Sequence, residues 1–259
     1  MSSKQRQDKI LEIMELQGYV TVKKLCECLH YSTATINRDL NELQQRRLIT
    51  RSYGGAEIAH SVYVPISLRT HKMRVEKRQI GQTAASFVND GDTIFIDGST
   101  TAQCMKQYIT SRKGLTVITN NMLLAIELGK YDIRVICLGG EISEAPCMLC
   151  GTETVENAAR YRVDKMFFST GAVSSDGKIA SGVVYDLMLK TVASNASEVF
   201  YLVDSKKVDK PFNTVYGDLS DVSCVISDFE FPKCTKEMYG NTHFVNTNKC
   251  HCDQNTKEE

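Results

Sequence analysis

Residues 32–58 read STATINRDLNELQQRRLITRSYGGAEI. Ser32 suits a helix N-cap, because its hydroxyl can accept one of the free backbone N–H groups of the first turn. Ile36, Leu40 and Leu43 recur at helical spacing and define one apolar stripe. At about 100° per residue, Ala34, Arg38, Asn41 and Gln45 fall on the opposite side, and Thr35 and Asn37 flank that outward face. A β-prone stretch follows from Leu48 to Arg51, then Tyr53, a Gly54-Gly55 turn and a second short stretch from Ala56 to Ile58. The pattern predicts a helix with a polar outer face followed by a tight, basic hairpin.

The residues upstream complete a small domain. Residues 4–17 read as a helix with Ile10, Ile13 and Met14 on one side, stopped by Gly18. Tyr19-Val20 is a short extended piece, Thr21 caps a second helix through Leu29, and His30-Tyr31 turns the chain into the Ser32 helix. Three short helices and a hairpin are the layout of a winged helix-turn-helix, which sets its recognition helix in the major groove of DNA. The run of Ile10, Leu16, Gly18, Val20, Val22, Leu25, then Ser32, Thr35-Ile36, Arg38-Asp39-Leu40, Leu43, Leu48, Arg51 and Gly54-Gly55-Ala56 resembles the DNA-binding domain of the DeoR family of bacterial regulators. The resemblance implies that Ser32, Thr33, Thr35, Asn37, Arg38 and Asn41 contact double-stranded operator DNA, with Arg51 and Tyr53 on the wing holding backbone or minor groove. Two positions depart from the family, which usually has Arg at 37 and often His at 53. Asn pairs with adenine and Arg with guanine, so position 37 is expected to set operator preference.

The chain has 259 residues, enough for two domains, and no net formal charge. The charge is uneven. Residues 1–80 hold 14 Lys+Arg against 8 Asp+Glu, which leaves 31−14=17 against 31−8=23 for the remainder. A basic first part on an acidic body suits a nucleic-acid module joined to something else. No apolar run is long enough to span a bilayer, and the first residues, MSSKQRQDKI, lack the apolar core of a secretory signal. A cytoplasmic protein with no membrane partner is expected. Among ten cysteines, Cys26/Cys28, Cys147/Cys150 and Cys250/Cys252 around His251 lie close together. Cys26 belongs to the apolar stripe of Val22, Leu25 and Leu29, and Cys104, Cys137 and Cys224 sit in apolar contexts where thiols behave as small hydrophobes. No complete metal-ligand set emerges, so neither metal nor cofactor is expected.

Residues 59–75 have no clear period and read as a linker, with Pro65, Arg69, His71, Lys72 and Arg74. From Glu76 the pattern becomes alternating helices and short apolar strands. Strands are expected at Thr93–Ile96, Leu115–Ile118, Arg134–Leu138, Lys165–Ser169, Val199–Val203 and Val222–Ile226, separated by helical stretches. That alternation predicts a mainly parallel α/β sheet. Nearly every strand finishes in small, hydroxyl-bearing or charged residues, and open α/β sheets bind ligands outside the carboxyl ends of their strands. Asp97-Gly98-Ser99-Thr100-Thr101 is expected to open a helix through Ile109, whose first N–H groups suit a phosphate. Lys190 and Lys207 offer positive charge.

Residues 76–246 resemble the DeoR-type effector domain, through Asp90-Gly91-Asp92, Asp97 with Thr100-Thr101, Thr119-Asn120, Leu138-Gly139-Gly140, Gly151, Asp176-Gly177, Lys190, Asp204 with Lys207, and Asp228. The resemblance implies a fold like that of ribose-5-phosphate isomerase and a small phosphorylated sugar or sugar alcohol as effector. The site it implies comprises Asp97, Gly98, Ser99, Thr100, Thr101, Thr119, Asn120, Gly139, Gly140, Gly171, Asp186, Lys190, Asp204 and Lys207. The family commonly has Gly at 99, an acid at 181 where this chain has Ser181, and Glu at 186. The expected order is a DNA-binding domain over 1–58, a linker over 59–75, the effector domain over 76–246 and a polar tail over 247–259. The function expected is a repressor of sugar or sugar-alcohol metabolism acting as a homodimer or homotetramer. The alternative is an isomerase-like enzyme with a DNA-binding head. It needs a positioned carboxylate base, and the segment Ser169-Thr170-Gly171-Ala172-Val173 has none where the isomerases carry Asp-Gly-Ala-Asp.

Overall fold

Thr21 and Ser32 cap their helices as their positions predict. The Thr21 hydroxyl accepts the Lys24 amide at 3.2 Å and the Ser32 hydroxyl accepts the Thr35 amide at 3.3 Å. The computed structural model describes residues 3–17, 19–46, 48–58, 74–143, 148–180 and 186–248. The chain divides into two units, residues 1–72 and 73–259. Residues 59–73 of the expected linker, Gly18, Cys147, Ser181 and residues 249–259 of the expected tail lie outside the described residues.

The first unit contains α1 (Ser3–Gln17), β1 (Val20–Thr21), α2 (Val22–Leu29), α3 (Thr33–Gln45), β2 (Ile49–Ser52) and β3 (Gly55–Ile58). The three strands form one antiparallel sheet in the order β1-β3-β2. Gly54 turns the β2–β3 hairpin at a φ of 77°, a left-handed conformation that glycine adopts without steric cost. The α3 stripe meets α1 and the hairpin in a core of Ile10, Leu11, Met14, Val20, Leu25, Ile36, Leu40, Leu43, Ile49 and Ala56. One charged residue is buried with them. Asp39 is fully enclosed, paired with Arg6 of α1 through Nη2 to Oδ1 at 2.9 Å and a second contact from Nε, and it accepts the Ser3 hydroxyl at 3.2 Å. A buried charge needs such a partner, and this one ties α1 to α3.

The second unit is built on a seven-stranded parallel sheet. Its strands are β4 (Thr93–Ile96), β5 (Thr116–Thr119), β6 (Arg134–Cys137), β9 (Val163–Phe168), β11 (Ala196–Val203), β13 (Cys224–Ser227) and β14 (His243–Asn246). The order across the sheet is β14-β13-β11-β9-β4-β5-β6, parallel at every pairing. The last strand, β14, has no counterpart among the expected strands, which end with Val222–Ile226. Helix α4 (Arg74–Ser86) and the segment 102–109, which ends in the single turn α5 (Lys106–Ile109), lie on one face, where Ile80, Ala84 and Met105 pack with Ile94, Val117, Phe167 and Phe200. α6 (Met122–Leu128) joins that core through Leu124 and Leu128. α7 (Thr152–Ala159) and α8 (Asp186–Ser194) pack together, and α8 packs on β9 and β11. Two small antiparallel ladders accompany the sheet: β7 (Glu141–Ile142) with β8 (Leu149–Cys150), and β10 (Lys178–Ala180) with β12 (Val215–Asp218). A short helix, α9 (Lys233–Met238), precedes β14. Among the described residues no helix is long and apolar enough to cross a membrane.

Candidate DNA-reading face and effector crevice

On the first unit, Ser32, Thr33, Arg38 and Asn41 are exposed along α3, and Thr35 and Asn37 are half-buried. The Ser32 and Thr35 hydroxyls hydrogen-bond one another at 2.9 Å. Tyr53 stands fully exposed at the hairpin tip, and its carbonyl accepts the Tyr19 hydroxyl at 2.5 Å. Arg51 does not stand apart from the helix. Its Nη1 donates to Asn41 Oδ1 and its Nη2 to Asn37 Oδ1, each at 2.6 Å. The roles that sequence assigned separately to helix and wing are joined in one hydrogen-bonded group. The helix is braced from behind by Asp39 with Arg6 and by Gln7 of α1, which contacts Glu42 and accepts from Arg46 at 3.2 Å.

On the second unit the chain runs from β4 outward through β5 and β6, then returns to β9 and continues the other way. The reversal leaves a crevice between the carboxyl ends of β4 and β9, the position where open α/β sheets take ligands. Asp97 follows β4 there and is buried. It accepts the Ser99 hydroxyl at 2.6 Å and the Ser169 amide at 3.4 Å. Burial pushes its carboxyl up to about 6, against the opposing pull of the Ser99 and Ser169 hydrogen bonds and of the Lys207 charge.

Two lysines converge on the adjoining threonines. Lys207, in the 3-10 turn Ser205–Lys207 after β11, donates to Ser169 Oγ at 2.8 Å and to Thr101 Oγ1 at 3.2 Å, and lies 3.7 Å from Asp204 Oδ2. Lys77, on the first turns of α4, is buried and donates to Thr100 Oγ1 at 3.1 Å. Asp204 Oδ2 is buried without a hydrogen-bond donor among the described residues. Lys77 and Ser169 were missed as site residues in the sequence. Lys77 reads there as one polar position of an amphipathic helix, and only its burial gives it away.

The helix expected from Gly98 to Ile109 is corrected. It is a 3-10 turn, Ala102–Met105, followed by a single α turn, Lys106–Ile109. Ser99 engages its first amides: the side chain accepts from Ala102 at 3.1 Å and the carbonyl from Gln103 at 3.1 Å. A helix dipole scales with an aligned, extended run of peptides, so the positive character of the crevice comes from Lys77 and Lys207 instead.

The remaining candidates divide. Thr119 and Asn120 are fully buried at the end of β5. Asn120 Nδ2 donates to the Leu149 carbonyl at 3.2 Å, the Leu149 amide returns a bond to the Asn120 carbonyl at 2.7 Å, and Asn120 Oδ1 has no hydrogen-bond partner among the described residues. Met148 leans on Gly98, where an added Cβ would stand 2.6 Å from Met148 Cγ. The β8 end thus covers Gly98 and Asn120. Gly139 and Gly140 serve a turn: the Gly139 carbonyl accepts the Thr154 hydroxyl at 2.7 Å, and a Cβ on Gly140 would meet Thr154 Oγ1 at 2.1 Å. Gly171 is exposed beside open space. Asp186 begins α8, and Lys190, exposed on the same helix, lies over the Tyr216 ring at 5.3 Å. Among the described residues Lys190 makes no hydrogen bond or ion pair to the Asp97–Lys207 group. Cys250, His251 and Cys252 lie outside the described residues, and among the described ones no cluster of His, Cys, Asp and Glu is placed to hold a metal.

Known proteins align with both units. Residues 6–62 match the family model described as a DeoR-like helix-turn-helix domain, and residues 72–229 match the DeoR C terminal sensor domain. The glycerol-3-phosphate regulon repressor of Escherichia coli K12 is 30% identical over 246 residues, 94% of this chain and 98% of its own length. The HTH-type transcriptional repressor GlcR of Bacillus subtilis 168 is 29% identical, across 88% of this chain and 89% of its own. The lactose phosphotransferase system repressor of Staphylococcus aureus N315 is 30% identical, across 89% and 94%. Among solved structures, ribose 5-phosphate isomerase from Plasmodium falciparum overlaps 52% of this chain and 53% of its own, at a TM-score of 0.38 and 16% identity. That overlap is loose, and the fold rests on the strand order itself.

Proposed function

The chain belongs to the DeoR family of transcriptional regulators, and we propose that it is a repressor whose hold on operator DNA is set by a small phosphorylated sugar or sugar alcohol. The effector would occupy the crevice at the carboxyl ends of β4, β9 and β11. One observation carries this reading: Lys77 and Lys207 reach Thr100 and Thr101 from two different elements, beside the buried carboxylates of Asp97 and Asp204. A phosphate monoester brings about −1.5 to −2 charge and three strong acceptor oxygens, which the two ammonium groups and two hydroxyls match as donors. Ionised carboxylates only accept hydrogen bonds. Asp97, Asp204 Oδ2 (which faces Lys207 at 3.7 Å but accepts no hydrogen bond among the described residues) and Asn120 Oδ1 therefore suit the hydroxyl end of a polyol. The names of two relatives, for glycerol-3-phosphate and for the lactose phosphotransferase system, point to related chemistry.

The relatives are repressors rather than enzymes, and the segment after β9 presents the Ser169 hydroxyl to Lys207 where a base would be needed. DNA contact falls to α3 and the β2–β3 wing. Recognition of two half-sites needs two such heads, so a homodimer or homotetramer is the working form. A thermal-shift screen of the full chain against phosphorylated sugars and sugar alcohols tests the effector reading, because a ligand of the folded state must raise its melting temperature. A phosphorylated compound is expected to raise it in the wild type and not in Lys207→Met. Stabilisation by unphosphorylated sugars alone would overturn the assignment.

A further inference from the structure

The contact between wing and helix fixes what the recognition face offers to a base. Arg51 has five N–H donors and no acceptor. An asparagine that bonds to it must turn its carbonyl oxygen toward the guanidinium and its NH2 group away. Arg51 imposes this on two residues at once, Asn37 and Asn41, each at 2.6 Å. They are four positions apart on α3 and so lie on one face, about one turn from each other. Arg51 itself is held in the wing by pairing opposite Ala56, whose side chain is buried in the core.

A free asparagine reads adenine by accepting from N6 and donating to N7. Here both oxygens face a cation, which weakens them as acceptors and repels a further hydrogen donor. We infer that Asn37 and Asn41 act as paired donors and select bases whose edges present acceptors without an adjoining donor, guanine N7 and O6 or thymine O4, over adenine, whose N6 amino group beside N7 would need the acceptor that Arg51 occupies. Arg51 is the positioning residue that sets this choice. The inference rests on the DNA-binding reading of the first unit, and it reverses the adenine preference expected of Asn37 alone.

Selection of the full-length protein from a randomised duplex pool, followed by sequencing of the bound fraction, tests it. Asn37→Ala and Asn41→Ala locate the two base positions by loss of preference. At those positions the wild type is expected to enrich guanine or thymine. Arg51→Met, which frees both oxygens, is expected to move the preference toward adenine by about tenfold, within the range of one bidentate pair. Arg51→Lys, whose single ammonium lacks the fork, is expected to move it at one position more than the other. Adenine enrichment by the wild type overturns the inference. So does a uniform loss of affinity in Arg51→Met with base choice unchanged, which would make Arg51 a backbone contact. Circular dichroism of each variant confirms folding, and Arg51→Lys carries the test if Arg51→Met fails it. If the wild type enriches no sequence, the DNA-binding reading itself falls.

Discussion

Asp97 is a candidate site residue whose carboxyl is buried. Its carboxyl is raised from 3.8 to about 6. Between those values the unfolded chain has released the proton while the folded chain still holds it. The folded state then binds more protons, so stability falls as pH rises through that window. A rise of that size corresponds to about 3 kcal/mol, fully present below pH about 4 and lost above about 6. In Asp97→Asn the titration is gone, while the side-chain oxygen can still accept from Ser99. The melting temperature of the wild type minus that of the variant should therefore decline from pH 4 to pH 7. Curves that stay parallel across that range would show that Asp97 is not the titrating group. Asp39 is another buried carboxylate, and there Arg6 supplies a full counter-charge in a pair that ties α1 to α3.

At the scale of elements, the Gly139–Gly140 turn after β6 is closely packed against α7 and β8. Gly140 holds a φ of 109°, and an added Cβ would meet Thr154 Oγ1 at 2.1 Å and the Cys150 carbonyl at 2.5 Å. Gly140→Ala is expected to cost about 2 kcal/mol, within the range for one strained backbone position, and to lower the melting temperature of the second unit. Gly171→Ala, with open space around it, should leave that temperature nearly unchanged. These two glycines look alike in sequence, and only the surroundings separate them. The strong signals were local ones. The caps at Thr21 and Ser32, the Gly54 turn and the apolar runs of β4, β5 and β11 follow from short-range chemistry and were legible. Thr100, Thr101 and Lys207 were legible as ends of strands. The rest depended on contacts distant in sequence. Lys77 becomes a site residue only when α4 packs beside residue 100, and Asp39 is buried only because Arg6 comes from 33 residues away. The 3-10 turn after Ser99 likewise reflects a side chain that competes for the first amides, which helix periodicity does not register.

For the whole molecule, the proposed effector raises the question of how an anion bound in the second unit would alter the DNA affinity of the first. Lys77 is the informative residue, because it lies three positions after Arg74, where α4 begins, and the chain before α4 leads back to the DNA-binding unit. A phosphate at the proposed site would compete with Thr100 for the Lys77 ammonium and so act on the first turn of that helix. Allosteric coupling is reciprocal: if the effector changes operator affinity by some factor, the operator must change effector affinity by the same factor. Fluorescence anisotropy of a labelled operator duplex, titrated at several effector concentrations, gives that factor directly. A typical coupling of about 1–3 kcal/mol would appear as roughly a 5- to 150-fold change. Lys207→Met should weaken effector binding while the factor at saturation stays as in the wild type. Lys77→Met should move the factor itself toward one, because the ligand no longer pulls on α4. A Lys77→Met protein that binds effector and retains the wild-type factor would place the coupling on a route other than the first turn of α4.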